Sequence, residues 1–121
     1  MQDYRKLKIW QKAHELVLKI YIATKKFPKE EMYGITSQIR RSSASITANI
    51  SEGCGRKTKT EFARFLVIAL GSINETKNFL LLSKDLGYLT QGDFHNLTEY
   101  VIEMHKMLLS LESKISNEAL S

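Results

Sequence analysis

One cysteine, one proline and six glycines are all that 121 residues hold of the types that staple or break a chain. Cys54 alone permits no internal disulfide, which excludes a disulfide-framed secreted scaffold and fits a reducing cytoplasm. So little Gly and Pro excludes a disordered or collagen-like chain. With 43% apolar residues there is enough for one core, and a single domain over residues 1–121 is expected. The opening Met1-Gln2-Asp3-Tyr4-Arg5 carries no apolar run. The longest strongly apolar stretch, Phe65 to Ile73, falls well short of the ~20 residues that span a bilayer, so a soluble, cytoplasmic protein with no membrane partner is expected.

Patterns that carry chemistry are missing too. His14, His95 and His105 lack the i, i+4 partnership of a helical metal site, and His105 lies beside a predicted core seam, where a packed histidine is the expectation. Gly53-Cys54-Gly55-Arg56-Lys57-Thr58 has one residue between its glycines rather than the four of a P-loop. No nucleophile with a base, metal cluster or close carboxylate pair is evident. The expectation is therefore no enzyme, no metal and no cofactor.

What is present is helical periodicity. Gln38 to Gly53 is built from small residues around one isoleucine stripe, Ile35, Ile39, Ile46 and Ile50, while Arg41, Ser45, Ala48 and Glu52 line the other side. Such a surface suits close approach by helices on more than one side, because a solvated face would carry Lys and Glu at most positions. A first helix is predicted over Tyr4–Lys26, with Trp10, Ala13, Val17, Ile20, Tyr21 and Thr24 on one face, ended by Phe27-Pro28. The small-residue helix follows Gly34 and should stop at Gly53-Cys54-Gly55, two glycines expected to supply the positive φ of a helix end. Thr58 and Glu61 form a capping box that opens a third helix over Lys59–Leu86; Phe62, Leu66, Ala69, Ile73, Thr76 and Leu80 form its main face. Opposite them runs a second stripe, Val67, Gly71, Asn78 and Leu82. Gly87 closes this helix and Thr90 with Asp93 opens a fourth, whose Phe94, Leu97, Val101, Met104, Leu108, Leu111 and Ile115 alternate three and four apart. Four helices with short connections predict an all-α, up-down-up-down four-helix bundle, with the second and third helices central.

Charge is unevenly spread. The net charge is +5, yet residues 1–29 hold eight Lys or Arg against two acids, and residues 91–121 hold two against five. Arg5, Lys8, Lys12, Lys19 and Lys26 form a stripe on the first helix, and Arg56, Lys57 and Lys59 cluster between the second and third. One reading is a solvated face whose lysines pair with Glu99, Glu103 or Glu112 of the fourth helix. The other is a surface that tracks nucleic-acid phosphates. No aromatic side chains alternate with these charges in sequence, so base stacking is not indicated. Arg41 and Glu52 stand eleven residues apart, about 16 Å along a helix, and so need separate partners; Glu75 is one for the arginine, a neighbouring subunit another.

Several segments together resemble a known family. They are Ile9-Trp10-Gln11-Lys12-Ala13 with Glu15-Leu16-Val17; Phe27-Pro28 with Glu31-Met32-Tyr33-Gly34; Gln38-Ile39-Arg40-Arg41; Ser45-Ile46, Ala48-Asn49-Ile50 and Glu52-Gly53; and Ala69-Leu70-Gly71-Ser72 with Glu75. In order and at natural spacing, they resemble the small bacterial proteins encoded within intervening sequences of 23S ribosomal RNA genes. The resemblance implies a left-handed four-helix bundle assembling as a ring-like homopentamer. The chain is also similar to the accessory variability determinant of diversity-generating retroelements, a basic pentameric barrel that binds nucleic acid and a reverse transcriptase. Carried over, Arg5, Lys8, Lys12, Lys19, Lys26, Arg56, Lys57 and Lys59 become RNA or DNA contacts.

Independently of resemblance, the Val67, Gly71 and Leu82 stripe and the small-residue side of the second helix cannot all be buried in one four-helix core. Self-association is expected, with Arg41, Asn49, Glu52, Val67, Gly71, Glu75 and Leu82 as interface or structural network. Two functions follow: a non-enzymatic nucleic-acid-binding oligomer, or a structural adaptor whose ligand is a protein such as a polymerase or reverse transcriptase.

Overall fold

Small side chains along the second and third helices let two backbones approach closely, and the architecture is organised around that contact. The computed structural model describes residues 3–121. Four helices, α1 (Lys8–Thr24), α2 (Ile35–Cys54), α3 (Lys59–Asp85) and α4 (Gln91–Ala119), follow one another, with short 3-10 turns at Tyr4–Lys6 and Lys29–Glu31. Among the described residues there is no strand. Each helix packs on its neighbours in sequence and α1 closes on α4, while the diagonal pairs stand further apart. This is an all-α, up-down-up-down four-helix bundle. The α2–α3 contact is the most extensive and the α1–α4 contact the least. The α2–α3 and α1–α4 seams therefore lie on opposite sides of the bundle.

The caps form where the side chains allow them. Thr58 Oγ1 accepts from the Glu61 amide at 3.2 Å and Thr90 Oγ1 from the Asp93 amide at 3.0 Å. Gly87 takes φ +81°, which lets the Tyr88 amide turn back to the Ser83 carbonyl at 2.9 Å.

Three boundaries or faces differ from the sequence reading. The first α-helix begins at Lys8, not Tyr4, because Asp3 caps a separate turn by accepting from the Arg5 amide at 3.1 Å, and Leu7 is extended. On α1 the buried face is Ile9, Ala13, Leu16, Ile20 and Thr24; Trp10 and Val17 are half-buried and Tyr21 is exposed. Apolar residues surround more than half of this helix, so periodicity does not single out the inward arc. Trp10 instead stacks on His14 with ring centroids 4.8 Å apart and meets Tyr4 edge-on. Finally, Gly53 and Gly55 do not end α2 by a positive φ: among the described residues only Gly87 has one, and Gly55 is right-handed at −86°. Gly53 is needed for space, since a Cβ there would lie 2.8 Å from Phe62 Cδ1 and 3.1 Å from Phe65 Cβ.

Ile39, Ile46, Leu66, Ile73, Val101, Met104 and Leu108 are fully enclosed in the core. Gly53→Ala should therefore cost about 1–3 kcal/mol by overpacking the α2–α3 turn. Gly71 is helical with nothing within 4 Å of a built Cβ. In dilute, unassembled protein, Gly71→Ala should stabilise by up to about 1 kcal/mol. Urea melts of the two variants check both signs.

Candidate interaction surfaces

The α2–α3 seam is held by hydroxyls as well as by isoleucines. Ser42 and Thr76 hydrogen bond at 2.9 Å, buried, and one turn on, Ser45 and Ser72 do so at 2.9 Å. Asn49 donates to the Ser45 carbonyl at 2.8 Å and to its hydroxyl at 3.0 Å. Asn49 thus serves this network within one chain. On the outer side of the same seam, the Arg41 guanidinium pairs with Glu75 and also donates to Gln38, while Glu52 pairs with Arg56 at 2.7 Å. The charges that needed separate partners find them within the protomer.

Beside this network the outside of α3 is apolar and uncovered. Val67 is 53% exposed, Ile68 45% and Leu82 42%, with Gly71 among them. By length and composition alone an 18-residue window of α3 could cross a membrane, yet only 33% of that window is buried. The sequence reading missed this because it counted uninterrupted apolar runs, and Gly71, Asn74, Glu75, Lys77 and Asn78 interrupt the run.

The basic residues separate into paired and unpaired groups. Arg5 pairs with Asp3 at 3.1 Å, Lys12 with Glu103 at 3.3 Å, Lys26 with Asp93 at 3.3 Å and Lys59 with Glu118 at 2.7 Å. Lys19 reaches Glu15 at 3.9 Å. Glu103 was a partner foreseen in the sequence; Asp93 and Glu15 were not. Lys8 and Lys57 have no carboxylate within ion-pair distance among the described residues. Aromatic partners do occur, but on other elements: Lys12 Nζ lies 4.3 Å from the Tyr100 ring centre and the Arg56 guanidinium 4.7 Å from that of Phe65. Tyr100 also donates to Glu15 at 2.9 Å, and burial with that bond pushes its phenol up to about 12.

The cysteine and the three histidines each sit in a packing or hydrogen-bonding contact of the bundle. Cys54 is buried and its thiol is pushed up by desolvation. His95 lies 3.3 Å from Glu99 and His14 stacks on Trp10. His105 Nδ1 accepts from Lys77 Nζ at 2.7 Å, tying α4 to α3. Burial first, and the Lys77 charge second, lower the His105 pKa below its ordinary 6.5. A group that resists protonation when folded makes the unfolded chain bind more protons. Its contribution is therefore complete above about 6.5 and is lost as pH falls through the folded value. Thermal melts should show stability falling below that point, with a shallower fall in His105→Gln.

A search of curated proteins finds no match. Among solved structures, a protein of unknown function from the S23 ribosomal protein family of Bacteroides thetaiotaomicron superposes with a TM-score of 0.78 at 28% identity, covering 86% of this chain and 97% of its own. The model of the 23S rRNA-intervening sequence protein family matches residues 5–110, from the Arg5 turn through most of α4. With that match over both central helices and their hydroxyl seam, the chain belongs to the 23S rRNA-intervening sequence protein family.

Proposed function

We propose that the protein is a non-catalytic structural module that self-associates through the outer side of the α2–α3 pair and acts as an adaptor. The observation that carries this reading is the outside of α3, where Val67, Ile68 and Leu82 are each more than two-fifths exposed, on the two stretches of the helix, 65–74 and 78–83, that carry no charge. Leaving such a face in water forgoes roughly 25 cal/mol for every Å² that a second copy would cover. The adjoining α2 surface of Ser37, Ala44 and Ala48 is small enough for a helix to lie close. Arg41 and Glu75, already paired, enter such an interface as a neutral unit rather than as two separate charges.

Light scattering over a dilution series tests this. The intact protein should have a mass several times its 13.9 kDa chain. Val67→Glu and Gly71→Leu should each lower it toward one chain while the melting temperature in dilute solution stays within a few degrees of the parent. A single-chain mass at all concentrations removes the reading.

A second reading, contact with nucleic-acid phosphates, is favoured by Lys8 and Lys57, whose ammonium groups are not neutralised by a carboxylate. Arg56, Lys57 and Lys59 flank the N-terminus of α3, where backbone amides add positive potential. Binding of this kind falls steeply with salt, and replacing Lys8 and Lys57 by Glu should abolish it without altering the melt. Unchanged affinity of that double variant for both RNA and DNA would exclude these contacts.

A further inference from the structure

On the side of the bundle away from α2–α3, the loose α1–α4 contact leaves an open groove. Two depressions, about 350 Å³ and about 310 Å³, share Tyr100 as a wall. The floor of the first is apolar, with Ala23 and Leu97 beside Tyr100 and with Ile22 at the rim and 65% exposed; the second is half polar, with Met107 and Tyr100 as its apolar members. The walls of the groove differ in sign. The α1 wall carries Lys8, Lys12, Lys19 and Lys26, with Glu15 between them held by Lys19 and Tyr100; the α4 wall carries Asp93, Asn96 and Glu103, whose two acids pair across the groove with Lys26 and Lys12. Lys12 and Lys19 stand seven residues apart on α1, a rise of about 10.5 Å, so they stay in line along the groove, and Lys26 follows just past the end of the helix.

We propose that this groove takes an amphipathic α-helix from another protein. The helix would lay an apolar stripe on the floor, with carboxylates on the flank facing α1 and basic groups on the flank facing α4. Three features favour that occupant. A seam between two helices has the width and direction of a third, which is how helices dock into grooves. The lysines keep capacity to bind: along the groove their side-chain exposure rises from 20% at Lys12 through 45% at Lys19 to 68% at Lys26. Each ammonium has three donors, and one carboxylate contact leaves others free. The opposite sign of the two walls selects a helix with split flanks, as charged flanking positions select partners in coiled coils. A phosphate backbone matches the site poorly, because Asp93 and Glu103 would repel it and it has no apolar group to cover Ile22 and Leu97.

The groove is separate from the α3 face, so binding here does not depend on self-association. The probes are three labelled helical peptides of about three heptads. All carry the same leucine stripe; one has split flanks of Glu and Lys, one is all-Glu and one is all-Lys. Fluorescence anisotropy should find the split peptide about ten-fold or more tighter than either of the others. Ile22→Asp should remove that binding with an unchanged melt and an unchanged mass in light scattering. Lys19→Gln with Lys26→Gln should narrow the gap between split and all-Lys peptides. Equal or absent binding of the three peptides overturns the proposal. So does tighter binding of the all-Glu peptide or of oligouridine, which would make the groove a site for polyanions. A lowered mass for Ile22→Asp also overturns it, since the occupant is then a second copy of this chain.

Discussion

The contact between α2 and α3 is the constraint on which the rest depends. Serine and threonine at Ser42, Ser45, Ser72 and Thr76 keep the two backbones close, and their hydroxyls pair across the gap, so proximity leaves no polar group stranded at these positions. Ile39, Ile46, Leu66 and Ile73 then fill the space toward α1 and α4. Larger residues at the hydroxyl positions would push the helices apart and open the core; smaller apolar ones would remove the bond between helices and leave the partner hydroxyl only its bond within its own helix. Gly53 belongs to the same constraint, because Phe62 packs where its side chain would be.

A consequence of that tight pair is asymmetry. Helices α2 and α3 meet so closely that their outer side presents small and apolar groups, crossed by the Arg41–Glu75 pair. On the far side, α1 and α4 meet loosely, and long side chains reach across: Lys12 to Glu103, Lys26 to Asp93 and Tyr100 to Glu15. Ion pairs at such exposure contribute at most about 1 kcal/mol each, so they shape a surface more than they hold the bundle. On the proposed reading, one side would pack against a copy of the chain and the other would recognise a partner by charge.

Much of this is legible in the sequence, and the exceptions have physical causes. The caps at Thr58, Gly87 and Thr90 were readable because capping is local, set by residues two to five apart. Glu75 was one of two partners the sequence left open for Arg41, because both stand out as charges among small residues. The inward face of α1 was not readable, since Leu16, Val17, Leu18, Ile20, Tyr21 and Ile22 make the apolar arc wider than the buried one; tertiary packing alone selects Leu16 over Val17. Nor was the role of Gly53, where a steric requirement and a conformational one leave the same letter in the chain. The aromatic covers of the basic residues were invisible for another reason: Tyr100 lies far from Lys12 in sequence, and only the closing of α1 on α4 brings them together. The two-signed groove has the same origin, as neither helix shows it alone.

The central claim is that the outside of α3 is an interface, and the most direct measurement observes that face in the intact protein. With a soluble paramagnetic agent, methyl resonances broaden in proportion to their access to solvent. At concentrations where the protein is assembled, Val67, Ile68 and Leu82 should be protected nearly as well as the core methyls of Ile46 and Ile73, while Ile22 on the opposite side broadens strongly. If Val67, Ile68 and Leu82 broaden as much as Ile22, nothing covers α3 and the claim is wrong.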